Sequence, residues 1–274
     1  MRHISSVITL VLAFTFGIGA QTTVAQQTQD PRVADLVQAG VLRVGLGLGI
    51  LMSAIKDPAT GKVRGAALEM ALALATRMGV KLEIVEYPRP GAVIDGLRTN
   101  AWDVSCLVMD PERAQQVEFS HPYLQSDFTY MVPAGSKITS VTDVDQSGIR
   151  IAVPRGDGSE LYLTRTLRHA ELIRTDTHAA ALELLRTGGA DARAAPRSVL
   201  MPDSSKLAGS RVLDDGFAVI YFAALVPKGH AARLSYINEF IDDAKASGLI
   251  TRVISSVGLQ GVRVAPAEKS GPRG

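Results

Sequence analysis

A short run of charged residues, Asp110 to Arg113, follows a stretch at residues 104–108 that is apolar in all but one position. Such a stretch is typical of an inner strand of an α/β sheet, which is buried on both faces. Asp110 before Pro111 is typical of a helix start, so we predict that Arg113 lies in the first turn of a short helix. A guanidinium beyond the carboxyl end of a strand can bind a carboxylate. Arg113 is therefore a candidate ligand-binding residue; the alternative is a surface arginine paired with a neighbouring glutamate.

A glycine-rich loop at residues 153–160 joins a second apolar strand to a helix. Gly156 and Gly158 let the backbone approach a ligand closely. The helix start offers unsatisfied backbone N–H groups and a partial positive charge. This loop is a second candidate binding element, and it suits an anion.

The composition is that of a globular protein with one large or two medium domains: 274 residues, 46% hydrophobic and 20% charged. The net charge of +2 gives no electrostatic footprint for nucleic acid, so we expect no nucleic-acid partner. Gly45, Gly47 and Gly49 lack the spacing of a dinucleotide-binding fingerprint, and no metal-spaced His/Cys cluster is present. We therefore expect no cofactor and no metal.

The first residues have the pattern of a secretory signal peptide, residues 1–25. A basic start precedes an apolar run at residues 7–19, and small residues allow cleavage after about Ala25. Cleavage after Ala20 and an uncleaved anchor are the alternatives. We expect a secreted protein in which Cys106, the only cysteine, forms no intramolecular disulfide and is a small buried hydrophobe.

Strands and helices alternate along the chain, which is the pattern of a mostly parallel sheet. The predicted strands are 41–46, 81–87, 102–108, 149–153 and 172–174, and the predicted helices are 31–40, 68–78, 92–97, 161–169, 178–186, 231–245 and 249–257. Residues 97–103 return in similar form as residues 185–191, each running from a helix end to a strand start. This repeat predicts two similar lobes, with extended crossovers at residues 124–130 and 217–226.

The segments Pro111-Glu112-Arg113 and Val117 to Tyr123 resemble the signature of family 3 extracellular solute-binding proteins, the amino-acid-type receptors of ABC importers. Leu42 to Gly45 and Gly65 to Glu69 are similar to further blocks of that family, and the likeness runs from about residue 33 to 264. It implies a periplasmic-binding-protein-like type II α/β fold with two lobes joined by two crossover segments. The implied lobes are residues 26–124 plus 222–274, and residues 125–221.

The resemblance also implies roles at the site. Arg113 would hold the ligand carboxylate. The glycine-rich loop would present a hydroxyl group to the ligand, for which Ser159 is the nearest match. The alternative for Ser159 is that it serves only as a helix N-cap. Members that take α-amino acids carry an Asp where this chain has Ala195-Pro196-Arg197, so the ammonium acceptor is missing. The segment from Asp103 to Arg113 is two residues shorter than the common form.

These departures favour a small carboxylate with an apolar or weakly polar body, or a dicarboxylate with Arg197 as its second clamp. Arg89 could also face the cleft; solvated loop arginines are the alternative for both. Leu107 and Val108 replace serines that donate to the carboxylate, and Ile50 stands where an aromatic lid is common. The expected ligand-binding residues are Arg113, Asp110, Ser159, Gly158, Asp157, Gly156, Leu107, Val108, Ile50, Arg89 and Arg197.

Three function classes are compatible with these features. The first is a monomeric periplasmic carrier that hands its ligand to an ABC permease in the inner membrane. The second is an enzyme on the same fold, such as a cyclohexadienyl dehydratase, with Glu69, Asp110 and Asp157 for acid–base work. Those dehydratases carry an acid in the segment that is acid-free here at residues 194–199, which disfavours catalysis. The third is an extracellular sensor module.

Overall fold

The computed structural model describes residues 30–37 and 40–266. The predicted signal peptide and its cleavage after about Ala25 lie outside these residues. Over the ranges that the structure describes, no helix combines the length and the apolar character needed to cross a bilayer.

The helices are α1 (Pro31–Leu36), α2 (Ala66–Met78), α3 (Gly158–Thr166), α4 (His178–Arg186), α5 (Arg197–Ser204), α6 (Ala231–Ala246) and α7 (Leu249–Val257). The strands are β1 (Val41–Gly47), β2 (Ile55–Lys56), β3 (Val63–Arg64), β4 (Lys81–Tyr87), β5 (Val104–Val108), β6 (Val117–Val132), β7 (Arg150–Pro154), β8 (Glu171–Thr175), β9 (Ala192–Pro196), β10 (Arg211–Val212), β11 (Ala218–Pro227) and β12 (Arg263–Val264). Three 3-10 segments within the described ranges cover Pro90–Thr99, Arg113–Gln115 and Val141–Asp143.

The strands pair in the order β4-β1-β5-β11-β6-β9-β7-β8, with β10 and β12 also paired to β6. Pairing is parallel within β4-β1-β5 and within β9-β7-β8, and antiparallel where β11 and β6 join the two groups. We call the first group, with α1, α2, α6 and α7, lobe 1, and the second group, with α3, α4 and α5, lobe 2. This is the predicted two-lobed α/β architecture.

The predicted internal repeat is present in side-chain detail. In lobe 1 the Asp103 carboxylate accepts the backbone N–H of Arg43 at 2.9 Å, its Nε at 3.1 Å and its Nη2 at 2.8 Å. In lobe 2 the Asp191 carboxylate accepts the same three groups of Arg150 at 2.9, 3.0 and 3.0 Å. The Arg43–Asp103 pair joins the start of β1 to the start of β5, and the Arg150–Asp191 pair joins the start of β7 to the start of β9.

The crossovers are parts of two long strands. β6 has 16 residues and contains the predicted first crossover at 124–130, and β11 contains most of the predicted return crossover at 217–226. The two strands pair with each other, with register shifts around Phe222 and Ala223 that bend the ladder. The predicted lobe boundaries at 124/125 and 221/222 fall inside these strands and stay a prediction.

The larger apolar core lies mainly in lobe 1 and continues into lobe 2 through Val199 and Leu200 of α5. In lobe 1, residues of the sheet, α2, α6 and α7 are buried together, among them Val44, Leu74, Ile237 and Val253. Cys106 lies in this core as a buried free cysteine, and burial raises the pKa of its thiol to about 12. In lobe 2, Tyr130, Ile151 and Leu163 form a smaller core. The return of the chain through β11 thus places α6 and α7 on lobe 1, as expected.

Two local predictions need correction. The helix expected at 92–97 is a 3-10 segment at Pro90–Thr99, and a side chain at its Gly96 would collide with Tyr87 and Trp102. Two glycines in this segment disfavour an α-helix. Close packing against the rings of Tyr87 and Trp102 stabilises the 3-10 segment instead. α5 was not expected, because Pro202 lies inside it and disfavours helix.

Candidate functional site

Arg113 lies between the lobes. Asp110 Oδ1 accepts the backbone N–H of Glu112 at 2.9 Å and that of Arg113 at 3.4 Å, which starts the 3-10 turn after β5. The Arg113 side chain is buried, donating from Nη1 to the Val108 carbonyl at 2.9 Å and from Nη2 to the Gly156 carbonyl at 2.8 Å. The second bond crosses from lobe 1 to lobe 2. The alternative of a surface arginine is therefore wrong.

The glycine-rich loop has a close backbone neighbour, as its sequence predicts. That neighbour is the backbone of lobe 1 at Gly91 rather than a ligand. Gly156 has a φ of +72°, in the left-handed region that favours glycine. Its carbonyl oxygen would lie 2.5 Å from a Cβ at Gly91. A side chain at Gly158 would press on Phe128 and Val108. These glycines let the lobes meet backbone to backbone around Arg113.

Ser159 is neither the N-cap nor a cleft-facing donor. The N-cap position of α3 belongs to Asp157, and the Ser159 side chain is fully buried. Its Oγ lies 3.5 Å from the Ala194 carbonyl of β9, to which it can donate a long hydrogen bond. The hydroxyl thus packs the helix start against the sheet of its own lobe.

Asp157 forms a buried ion pair with His178, the first residue of α4. Nε2 of His178 is 2.8 Å from Oδ2 of Asp157, and the side chains are 7% and 5% exposed. Burial alone would raise the pKa of Asp157, but the neighbouring His178 and the charge of Arg113 outweigh it and lower that pKa. The carboxylate therefore stays ionised at the lobe interface.

Arg193 of β9 lies beside His178, on the Nδ1 side of its ring. It is fully buried, with Nη1 2.5 Å from Asp203 Oδ2 and Nη2 3.5 Å from His178 Nδ1. Burial would raise the pKa of Asp203, but the charge of Arg193 and the hydrogen bond of Lys206 lower it. These residues were not predicted from the sequence. The available signal was an arginine inside the alanine-rich strand β9, because a buried charge needs a partner.

The apolar candidates contribute mainly to packing. Leu107 is fully buried in a small core with Trp102 and Val93, on the side of the sheet where the 3-10 segment packs. Ile50 is buried in the core of lobe 1 rather than over the cleft. Val108 contributes its carbonyl to Arg113 and contacts the Gly158 position. The expected binding roles of Leu107 and Ile50 are therefore not supported by their placement.

The two further arginines differ. Arg197, proposed as a second clamp, binds Asp127 through Nε at 3.0 Å and Nη2 at 2.7 Å and also donates to the carbonyls of residues 213–215. Its donors are engaged by Asp127 of β6 and by these carbonyls, so the second-clamp prediction is corrected. Arg89 donates from Nε to the Arg155 carbonyl at 3.2 Å, and this bond crosses from lobe 1 to lobe 2. Arg89 therefore remains a candidate cleft residue.

A cavity of about 310 Å³ opens between the lobes beside His178. This volume is at the lower end of the roughly 300–1,000 Å³ typical of small-molecule sites. Apolar side chains, two cations and the start of α4 line it: Leu48, Ile55, Pro88, Lys56, Arg89, Thr177 and His178. The cavity can therefore hold a small body with polar or anionic ends.

The acids weighed for catalysis do not converge in one open site. Glu69 is exposed on the first turn of α2, whereas Asp110 and Asp157 are buried at the lobe interface. Within the described parts of the chain, no three His, Cys, Asp or Glu residues are grouped to hold a metal ion.

Comparisons with known proteins agree with this geometry. The sequence profile of the bacterial extracellular solute-binding proteins, family 3, matches residues 52–256. A glutamine-binding protein of Geobacillus stearothermophilus is 26% identical over 184 residues, 65% of this chain and 70% of that protein. A glutamine-binding protein of a Bacillus subtilis ABC transporter is 22% identical over 252 residues, 87% and 89% of the two chains.

Solved structures give the same result. A putative ABC transporter binding component of Wolinella succinogenes, complexed with lysine, has a TM-score of 0.73 and 26% identity, covering 80% of this chain and 96% of that chain. An ancestral amino acid-binding protein, a precursor of cyclohexadienyl dehydratase, has a TM-score of 0.71 and 27% identity, covering 79% and 95%. The profile match and the two-lobed fold show that this chain belongs to the bacterial extracellular solute-binding proteins, family 3.

Proposed function

We propose that this protein is the periplasmic solute-binding component of an ABC importer and that it closes over a small carboxylate-bearing solute between its lobes. The observation that carries the proposal is the bond from Arg113 Nη2 in lobe 1 to the Gly156 carbonyl in lobe 2. Opening the lobes breaks that bond and leaves a guanidinium donor without its partner. A solute carboxylate replaces the carbonyl with a stronger, charge-assisted acceptor.

The relatives support an amino-acid-like solute. Two of them are glutamine-binding proteins, and one solved relative is complexed with lysine. The cavity beside His178 has room for the body of such a solute, and its two cations, Lys56 and Arg89, suit a polar or acidic end.

Closure follows from bending at the paired strands β6 and β11, which are the connections between the lobes. A solute shifts the equilibrium only through contacts that it makes better in the closed state. Arg113 meets this condition, because its two terminal nitrogens reach acceptors from both sides of the cleft. The carrier then acts as a monomer and delivers the solute to an inner-membrane permease that contacts both lobes.

The test is calorimetric titration with a panel of amino acids and organic acids, using wild type, Arg113→Ala and the control Arg98→Ala. Arg98 is exposed in lobe 1. Loss of a buried charged pair weakens binding on the order of 2–5 kcal/mol, roughly 30- to 4,000-fold in Kd. We expect that loss for Arg113→Ala and wild-type affinity for Arg98→Ala. An unchanged Kd for Arg113→Ala, or no binding of any carboxylate, contradicts the proposal.

Catalysis is the second candidate, because one structural relative is a precursor of cyclohexadienyl dehydratase and because Asp157 and His178 form a buried acid–base pair. The absence of an acid at residues 194–199 and the engagement of Arg197 with Asp127 favour binding over turnover. Incubation with arogenate and with prephenate decides between the two: we expect no product above the rate without protein.

A further inference from the structure

Two arginines of lobe 1 bind neighbouring carbonyls of one loop of lobe 2. Arg89 donates from Nε to the Arg155 carbonyl at 3.2 Å, and Arg113 donates from Nη2 to the Gly156 carbonyl at 2.8 Å. Neighbouring residues have Cα atoms about 3.8 Å apart, so the two acceptor oxygens belong to one short span. The lobe interface therefore brings two guanidinium groups to the same small segment of lobe 2.

Neither of these two guanidinium groups forms an ion pair within the described ranges. The acids of the interface already have cations of their own: Asp110 pairs with Arg165 at 2.7 Å, and Asp157 pairs with His178 at 2.8 Å. Burial lowers the pKa of the Arg113 guanidinium, against the opposing effect of the Asp157 and Asp110 charges. Two cations that bind only neutral carbonyls leave positive charge at the interface without a direct counter-charge.

Arg89 has donors to spare at a cavity. It lines the cavity of about 310 Å³ together with Lys56, but Lys56 is exposed and already pairs with Glu86 at 2.7 Å. The Arg89 side chain makes its one hydrogen bond to the described residues through Nε, which leaves both terminal nitrogens able to donate. None of the described residues that line this cavity is acidic. The cavity can therefore accept an anionic group on Arg89.

A carboxylate accepts stronger, charge-assisted hydrogen bonds from a guanidinium than a carbonyl does. From these contacts we infer that the solute is a short dicarboxylate, with one carboxylate held by Arg113 and the other by Arg89. This rests on the proposed function and deepens it, because it names the solute class. It also gives Arg89 the second-clamp role that Arg197, engaged by Asp127, does not fill.

The same contacts set the length of the solute and the groups that it needs. Chains of about four to six carbons place two carboxyl groups on the scale of neighbouring carbonyls. An α-ammonium group is not required, since the two interface acids are engaged by Arg165 and His178.

The experiment compares each dicarboxylate with the monocarboxylate of the same carbon number. The pairs are succinate and butyrate, glutarate and pentanoate, and adipate and hexanoate; L-glutamate is compared with glutarate to test the ammonium group. Titration calorimetry gives the Kd values for wild type, Arg89→Gln and the matched control Arg98→Gln. Arg98 is exposed near the end of the 3-10 segment that follows Arg89.

For the pair that binds best, we expect wild type to prefer the dicarboxylate by about tenfold or more, the effect of a hydrogen bond to a charged group. In Arg89→Gln the preference falls to less than about threefold, because only the dicarboxylate loses a contact. Arg98→Gln keeps the wild-type preference, and glutarate and L-glutamate bind wild type within about threefold of each other. Melting temperatures check that both variants are folded.

Three results overturn the inference and leave the proposed function intact. Equal wild-type affinity for both members of every pair removes the second carboxylate contact, and this comparison needs no variant. A preference that survives in Arg89→Gln, or that Arg98→Gln loses equally, removes Arg89 from the site. Binding of L-glutamate more than about tenfold tighter than glutarate shows that the ammonium group is recognised.

The wider panel of amino acids and organic acids separates this inference from the proposed function. If none of the dicarboxylates binds while another carboxylate of the panel does, the inference alone fails. If no carboxylate of either set binds, the proposed function fails with it.

Discussion

Arg165 of α3 forms an ion pair with Asp110 across the lobe interface, with 2.7 Å between Nη2 and Oδ2. Asp110 is also the residue that starts the turn of Arg113, through its other carboxylate oxygen. The same side chain therefore orders the candidate binding residue and joins the lobes. The Asp110 side chain is 5% exposed and that of Arg165 is 40% exposed, so the pair lies at the edge of the interface.

The first prediction concerns this ion pair. Because Arg165 is partly exposed, the pair contributes only about 0.5–1 kcal/mol, which is about two- to fivefold in the ratio of closed to open protein. Arg165→Ala is expected to raise the radius of gyration of the solute-free protein in small-angle scattering. The control is Arg186→Ala, which breaks an exposed pair with Glu183 inside α4. An unchanged radius for Arg165→Ala, or an equal change in both variants, contradicts the prediction.

Local patterns explain how much of the fold was predictable. Strand β4 and helices α4 and α7 have the bounds that the apolar periodicity predicts, because each is an uninterrupted segment ended by Gly, Pro or a charged turn. The repeat of residues 97–103 as 185–191 was visible in the sequence, and it ends at Asp103 and Asp191, each of which joins a strand start to the strand beside it.

The site was less predictable, because its partners come from distant parts of the chain. Arg113 could be identified from its neighbours, but its contact with Gly156 depends on how the lobes meet. Ile50 and Leu107 were expected in the site from the family resemblance alone. The strand of Leu107 is buried on both faces and has no alternation to show which face a residue takes. The partner of Arg197, Asp127, is 70 residues away on β6, and no local pattern indicates such a pairing.

The second prediction concerns two glycines at which a side chain would collide with the backbone of another segment. Gly91 meets Gly156 of the other lobe, whereas Gly47 meets Pro90 of its own lobe. Gly91→Ala is expected to prevent full closure without loss of stability, because the added methyl group collides only when the lobes meet. Gly47→Ala is expected to lower the free energy of unfolding by about 1–3 kcal/mol, as overpacking does.

Thermal denaturation and small-angle scattering separate the two effects. Gly91→Ala should melt like wild type but remain extended when the best-binding carboxylate is added, and its Kd should rise. Gly47→Ala should melt earlier and still compact on adding solute. If Gly91→Ala closes like wild type, the Gly91–Gly156 contact does not limit closure.

The third prediction compares the repeated aspartates. The Asp103 side chain is fully buried and faces Arg43, which is 18% exposed, whereas Asp191 and Arg150 are 35% and 39% exposed. Asp103→Asn leaves a largely buried guanidinium without its counter-charge, which costs about 3–5 kcal/mol. In Asp191→Asn solvent compensates most of the lost charge, and the cost is about 1 kcal/mol.

Urea unfolding followed by far-UV circular dichroism measures both values, and Asp191→Asn is the matched control because its hydrogen bonds to Arg150 are the same in kind. We expect Asp103→Asn to unfold at a clearly lower urea concentration than Asp191→Asn. Equal midpoints would mean that neither burial nor the second cation beside Asp103, Arg233 with Nη1 at 3.7 Å from Oδ1, separates the two pairs. In that case the two lobes would owe their stability to the repeated bond pattern itself rather than to the exclusion of water from lobe 1.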